Sequence, residues 1–238
     1  MALASLRCRL NAAFFLNGEC QVGIRDLRPG AVLNKAAHMV EKSLAVFVGG
    51  EVPRTQMLYQ HIETQAFKIP RYTGTAGNGV DVDLSIGDQL LVFKCAENQP
   101  AVDGMLTGPG ILWLSQSKST SIQAKTFPVL NRGEFTTISA AALRKLDDIH
   151  GVPENVKVVL DLFTTRDPSP ELDYVAKESK YVKQNMVERI NNTPIVTTTF
   201  ENIEQCVGPV FALRIRNLKK EGTMKDVSSQ ENDQMELL

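Results

Sequence analysis

The chain has 238 residues, of which 43% are hydrophobic and 22% are charged, and its formal net charge is −1. This is ordinary globular composition, and the length is sufficient to bury a substantial core. A net charge so close to zero draws the whole molecule neither to nucleic acid nor to anionic lipid, so such binding requires a local basic patch. No apolar run approaches the roughly 20 residues needed to span a bilayer.

The cysteines are spread widely along the chain and form no CxxC pair: Cys8, Cys20, Cys95 and Cys206. This spacing is typical neither of a disulfide framework nor of a metal site, and free cysteines are among the most buried residues. The N-terminal segment lacks the order of a secretory signal, in which basic residues precede an apolar run. We therefore expect reduced cysteines and an intracellular location.

The first predicted element is a β-hairpin. Apolar and polar residues alternate from Leu6 to Ala12, and they alternate again after Asn17-Gly18. Alternation is the period of a half-buried strand, and Asn-Gly between two such runs favours a type I′ turn. The sequence thus predicts two antiparallel strands that are joined at Asn17-Gly18.

A helix and two strands are expected next. Pro29-Gly30 opens a stretch in which apolar residues recur at helical spacing up to Leu44. Residues 45–48 then predict a short buried strand, and residues 56–64 predict another.

The middle of the chain predicts mainly strands, at residues 80–86, 89–95, 111–115 and 121–127. Ser139 then has the position of an N-cap for a helix that runs to His150 and ends at Gly151. Residues 156–164 are rich in valine and leucine, which predicts a buried strand.

The longest helix is predicted to begin within residues 167–170 and to run to Ile190, because Ser169 is a suitable N-cap and Pro170 suits the first helical position. Two further strands are predicted at residues 195–200 and 207–215.

The C-terminal segment differs in composition from the rest. From residue 219 to 238 it is polar and aperiodic, which predicts a disordered tail. Neither a repeat nor a linker divides residues 1–218, so we expect one α+β domain there. Its predicted architecture is a mixed or antiparallel sheet packed against two or three helices.

Neither a phosphate loop nor a calcium loop is indicated. The glycine-rich residues 74–79 lack the glycine spacing and the following helix of a phosphate-binding loop. Asp81, Asp83 and Asp88 lack the ligand order and the closing glutamate of a calcium loop.

The histidines give no catalytic or metal signal either. His38, His61 and His150 are too far apart in sequence to form a zinc pair, and no serine lies in a nucleophile-elbow motif. We therefore expect no enzymatic activity, no cofactor and no bound metal.

Basic residues are concentrated in the N-terminal third and at the end of the last predicted strand. If the predicted hairpin and first helix pack together, these residues form a face for anionic lipid or a ribonucleoprotein. The alternative is that they are scattered, solvated charges. We call the candidate set the predicted basic surface: Arg7, Arg9, Arg25, Arg28, Lys35, Lys42, Arg214 and Arg216.

The order of elements in the first half resembles a known family. A basic strand leads into Arg28-Pro29, an amphipathic helix follows, and then come the segment 45–50 (AVFVGG) and a strand that ends near Ile62. This order is similar to the start of the core in rhabdovirus matrix proteins. The similarity lies in the pattern of elements over the folded region and carries over no single functional residue.

The resemblance implies a sheet packed against helices, and a structural protein that acts in virion assembly and budding. The implied activities are self-association, peripheral membrane binding and condensation of the nucleocapsid. The implied partners are further copies of the chain, the viral nucleocapsid, an anionic membrane surface and a glycoprotein tail, with a nuclear stage left open. The chain has neither PPxY nor PTAP, so recruitment of budding machinery through those motifs is not expected.

Two other functions remain open from the sequence. Many short strands with glycine-rich turns also fit a viral movement or capsid protein that binds single-stranded RNA. The third possibility is an enzyme whose site is assembled from distant loops, with residues 74–79 as one wall.

Overall fold

The computed structural model describes residues 2–48, 91–94, 102–108, 110–118, 129–147 and 156–217. The fold of these residues is α+β, as predicted from the sequence. The helices are α1 (Ala2–Asn17), α2 (Ile24–Leu27), α3 (Lys35–Val40, continued by a 3-10 turn over Glu41–Ser43), α4 (Arg132–Asp147), α5 (Gln184–Asn192), α6 (Ile203–Val207) and α7 (residues 209–217). The strands are β1 (Cys20–Gly23), β2 (Val32–Leu33), β3 (Ala45–Val48), β4 (Leu91–Lys94), β5 (Gly104–Gly108), β6 (Ile111–Lys118), β7 (Lys157–Thr164) and β8 (Ile195–Thr198).

Six strands form one mixed sheet in the order β2-β8-β7-β6-β5-β4. The central strands β6, β7 and β8 are parallel, whereas β2, β4 and β5 pair antiparallel with their neighbours. β7 is mostly apolar and the first six residues of β6 are buried, which is typical of parallel strands that are covered on both faces. β1 and β3 form a separate antiparallel pair.

Helices cover both faces of the central strands. On the face that we call the first face, Trp113 and Val159 pack with Leu6 of α1 and Leu27 of α2. On the opposite, second face, the strand side chains that alternate with these pack against α4 and α5. Here Leu112 and Leu160 of the sheet pack with Phe135 and Leu143 of α4 and Ile190 of α5.

The prediction of a strand at the N-terminus is wrong, because residues 2–17 form α1. The buried residues Leu6 and Leu10 and the partly buried Phe14 recur every four positions, which is helical spacing. Cys8, which strand alternation would bury, is exposed.

Asn17-Gly18 ends a helix and does not join two strands. Gly18 has a φ of 68°, and its N–H donates to the carbonyl of Phe14 at 2.7 Å. A positive φ is required both at the end of a helix and in a type I′ turn, so the same dipeptide suits either role. The strand predicted after the turn exists as β1, but its partner is β3.

The helix predicted after Pro29-Gly30 is present but shorter, as α3 and its 3-10 turn, and the strand predicted at residues 45–48 is confirmed as β3. The strand at 156–164 is confirmed as β7, and that at 195–200 as the shorter β8. The predicted strands at 89–95 and 111–115 correspond to β4 and β6.

The prediction of a long helix from residue 169 is wrong, because only Gln184–Asn192 is helical there. Tyr174 has a φ of 55°, which an α-helix does not allow. The backbone of Ala176 bonds to the side chain of Asn191, at 2.8 Å through its N–H and at 3.2 Å through its carbonyl. A side chain therefore satisfies the backbone groups that a helical turn would have used.

Two other local predictions are wrong. Ser139 is buried in the middle of α4, whose first turn is capped by Asn131 through the N–H of Glu134 at 2.9 Å. The strand predicted at residues 207–215 is the end of α6 followed by α7. Gly208, with a φ of 85°, separates these two helices.

Several predictions lie outside the described residues. They concern the strands at 56–64, 80–86 and 121–127, the glycine-rich residues 74–79, the three aspartates, His61, His150 and the tail 219–238.

Asn34 connects α3 to the sheet. Its side chain caps α3 by accepting from the N–H of Ala37 at 2.9 Å, and it also accepts from the N–H of Ile195 at 3.0 Å. Its amide nitrogen donates to the carbonyl of Thr193 at 3.0 Å. One buried side chain thus satisfies backbone groups of both α3 and the start of β8.

We predict that Asn34→Ala destabilises the fold more than Asn131→Ala does. Loss of an ordinary N-cap costs about 1 kcal/mol, which is the value expected for Asn131. At Asn34, the buried N–H of Ile195 and the partly buried carbonyl of Thr193 also lose their partner, which adds about 1–3 kcal/mol. Urea denaturation of the two variants measures the difference, and equal losses would contradict the bridging role.

Candidate functional site

A buried ion pair lies on the first face of the sheet, in the carboxyl-terminal half of the parallel strands. Arg28 donates from Nε to Oδ1 of Asp161 at 2.9 Å and from Nη2 to Oδ2 at 2.5 Å. Ser115, which lies opposite Asp161 on β6, donates from Oγ to the same Oδ2 at 2.9 Å. The side chains of Arg28 and Asp161 are both 0% exposed.

The turn after α2 positions the guanidinium. Arg28 is the C-cap of α2, and Gly30 follows with a φ of 74°. A Cβ at Gly30 would collide with the side chain of Gln205, so α6 packs directly against this turn. Cys206 on α6 also contributes to raising the pKa of Arg28.

The N-terminal helix closes the cluster from another side. Ser5 donates from Oγ to the carbonyl of Cys206 at 3.0 Å, and its Oγ lies 3.7 Å from the sulfur of the same residue. Arg9 donates from Nη2 to the carbonyls of Gln205 and Cys206 at 3.0 and 3.1 Å. α1, α2, α6, β6 and β7 therefore meet around one carboxylate.

Burial alone would lower the pKa of Arg28, but the charge of Asp161 and its hydrogen bonds outweigh that effect and raise the pKa. Arg28 therefore keeps the positive charge that arginine carries in proteins. The Asp161 carboxylate accepts three short hydrogen bonds and has no exposed surface, so its oxygens are occupied within the protein. This arrangement is a structural ion pair and does not present a base or an acid to a substrate.

The structure overturns the predicted basic surface at Arg28. The sequence places it among exposed cations, whereas it is 1% exposed and paired with Asp161. The physical reason is that α2 directs this side chain toward the sheet, where a carboxylate is available on β7.

Three other members of the predicted basic surface also have partners within the fold. Arg9 is half-buried and donates to backbone carbonyls of α6. Arg25 pairs with Glu41, which lowers the pKa of that carboxyl through a hydrogen bond. Arg216 pairs with Glu204 at 2.8 Å.

The remaining members are Lys35, Lys42 and Arg214, which are exposed, and Arg7, which lies on α1 with a side chain outside the described part. No ion pair of Lys35, Lys42 or Arg214 with another described residue is present. Four of the eight members of the predicted basic surface, Arg9, Arg25, Arg28 and Arg216, are therefore bonded within the fold.

An apolar surface on α7 was not anticipated from the sequence. Val210, Phe211 and Leu213 are 78%, 54% and 55% exposed, and Arg214 is exposed beside them. We call these four residues the α7 surface. Helical spacing places Val210, Leu213 and Arg214 on one side of the helix, with Phe211 at its margin.

The opposite side of α7 anchors it to the fold. Ala212 is buried and Ile215 is partly buried against Phe163 of β7 and Ile203 and Cys206 of α6. The sequence does contain a signal for this surface, namely the mixture of apolar and basic residues in the segment 209–217 (PVFALRIRN). The alternation of these residues by itself predicts a strand, so the helix and its exposed side were missed.

No match to this chain was found in comparisons with protein-family models, curated proteins or solved structures. In the part of the chain that the structure describes, no helix is long and apolar enough to cross a membrane. Within the same residues, no cluster of three His, Cys, Asp or Glu side chains is arranged to hold a metal ion.

We predict that Arg28→Met and Asp161→Leu each destabilise the protein by about 3–5 kcal/mol, because each leaves a buried charge without its counter-charge. The double variant is expected to lose much less than the sum of the two. Thermal or urea denaturation measures all three variants. Arg25→Gln is the control, because it removes an exposed pair and should cost less than about 1 kcal/mol. Single losses as small as that of the control would contradict a structural role for the buried pair.

Proposed function

We propose that this chain is a non-enzymatic structural protein of the viral matrix type, which binds anionic membranes peripherally, associates with itself and packs a nucleocapsid against the membrane. The observation that carries the proposal is the α7 surface, where three large apolar side chains and an arginine lie together in solvent. Single exposed apolar residues are common on protein surfaces, but three on one short helix are characteristic of an interaction site.

The chemistry of the α7 surface suits the interface of an anionic bilayer. Val210, Phe211 and Leu213 would enter the boundary between headgroups and acyl chains, while Arg214 stays at the level of the phosphates. The sequence from 209 to 220 contains four basic residues and no acidic residue, and one of the four, Arg216, is paired with Glu204. Each cation near an anionic surface contributes about 1 kcal/mol.

The bonding of several basic residues within the fold favours membrane binding over RNA binding. RNA binding to the sugar-phosphate backbone depends on many free cations, and Arg28, Arg9, Arg25 and Arg216 are used within the fold. Membrane insertion needs fewer cations because apolar contact supplies part of the binding energy. The movement or capsid alternative is therefore the second candidate, and it becomes an outcome of the test below.

The other parts of the proposal depend on the resemblance to rhabdovirus matrix proteins. They are self-association, contact with the viral nucleocapsid and contact with a glycoprotein tail. Sedimentation of the purified chain over a range of concentrations tests self-association, and a monomer at all concentrations would contradict it.

We predict that the chain floats with phosphatidylcholine vesicles that contain phosphatidylserine. Val210→Ser/Phe211→Ser/Leu213→Ser should lower the partition coefficient at least about tenfold, since three apolar side chains no longer leave water. Met39→Ser/Tyr181→Ser is the matched control, because it removes two residues of 77% and 73% exposure elsewhere and should leave binding unchanged.

The salt dependence of vesicle binding is a second test of the same proposal. The Debye screening length falls from about 10 Å at 0.1 M to about 3 Å at 1 M, so high salt should weaken vesicle binding without abolishing it. Absence of binding at low salt, or equal loss in the control variant, would contradict the proposal. Cooperative binding to single-stranded RNA without any lipid preference would support the second candidate instead.

A further inference from the structure

The α7 surface is followed directly by a segment of opposite charge. Residues 209–220 carry four basic residues, of which Arg216 is already paired with Glu204, whereas the acidic residues of 221–238 outnumber its one lysine, Lys225, by five to one. The acidic residues are Glu221, Asp226, Glu231, Asp233 and Glu236. Two adjacent blocks of opposite sign attract each other whenever the chain between them is long enough to turn back.

The same segment contains apolar residues at its far end. Residues 235–238 have the sequence MELL, in which Met235, Leu237 and Leu238 accompany Glu236. This composition is complementary to the α7 surface, which presents Val210, Phe211 and Leu213 with one cation, Arg214.

The length of the segment permits the contact. The 18 residues from 218 to 235 can span about 60 Å when extended. α7 is only roughly 14 Å long, because its nine residues rise 1.5 Å each. The segment that follows α7 is therefore long enough to turn back and lie along the whole helix.

We propose that residues 221–238 dock on the α7 surface of the same molecule. Met235, Leu237 and Leu238 cover its apolar side chains, and the neighbouring carboxylates pair with Arg214. Insofar as the α7 surface binds anionic membrane, a point that rests on the proposed function, the docked segment competes with the bilayer for the same residues. The acidic segment then acts as an intramolecular substitute for the phosphate groups.

A second copy of the chain fits this surface less well. A two-fold contact between two α7 surfaces would place two Arg214 side chains in one small interface to which neither α7 surface contributes a carboxylate, and like charges repel. The segment 221–238 has the opposite sign, and its attachment to α7 raises its effective concentration at the surface.

Photo-crosslinking of the full chain tests the docking in the absence of membrane. With p-benzoylphenylalanine in place of Leu213, mass spectrometry of the monomer band should identify crosslinks to residues 226–238. The same group in place of Met39, which is exposed on α3, is the control and should give none. Crosslinks from position 213 only to other regions, or only between two molecules, would overturn the proposal.

Variants of the segment test its apolar contact and its effect on membrane binding. Met235→Ser/Leu237→Ser/Leu238→Ser should lower the crosslinking yield and raise the affinity for phosphatidylserine vesicles by about fivefold or more. Met224→Ser/Val227→Ser is the matched control in the same segment and should change neither quantity. An unchanged crosslinking yield in the triple variant would overturn the assignment of these three residues.

The two proposals fail in distinguishable ways. Crosslinks to 226–238 without vesicle binding by any variant would support the docking and contradict the membrane function. Vesicle binding without those crosslinks, and without an effect of the triple variant, would contradict the docking and leave the membrane function standing.

Discussion

The ion pair between Arg28 and Asp161 is the interaction around which α1, α2 and α6 meet the strands β6 and β7. It joins parts of the chain that are 133 residues apart, and Ser115 and Cys206 bring two further segments to the same point. A buried pair contributes little net stability over an apolar pair, because both charges lose their water. Its larger effect is on specificity, since a packing that separates the two groups leaves a bare charge in the core.

The position of the α7 surface follows from this pair. Gly30 lies two residues after Arg28 and leaves room for Gln205, so the turn determines how closely α6 approaches the sheet. α7 begins just after α6, and its Ala212 packs in the cluster of Phe163, two residues beyond Asp161 on the same face of β7. The exposed side of α7 is thus oriented by contacts that begin at the buried carboxylate.

The sequence predicts the central strands well because long apolar runs such as 157–164 suit a strand that is buried on both faces. It predicts α1 wrongly because alternation over seven residues is a weak signal and Gly18 suits a helix end as well as a hairpin. The long helix from residue 169 fails for a different reason: Asn191, 15 residues away, satisfies the backbone of Ala176. Tertiary contacts of this kind leave no trace in local periodicity. The burial of Arg28 is hidden for the same reason, since its partner is remote in sequence.

Several arginines pair with groups inside the fold, and this limits how the chain can bind a partner through charge. A protein that binds by charge alone needs its arginines in solvent, but Arg28 is buried with its counter-ion and Arg25 and Arg216 are neutralised by glutamates. The exposed apolar residues of α7 lie beside Arg214, a cation that forms no ion pair with another described residue. Apolar contact is insensitive to screening, whereas contact between charges is not. A surface that combines the two therefore retains part of its affinity when salt, or a competing acidic segment, removes the electrostatic part.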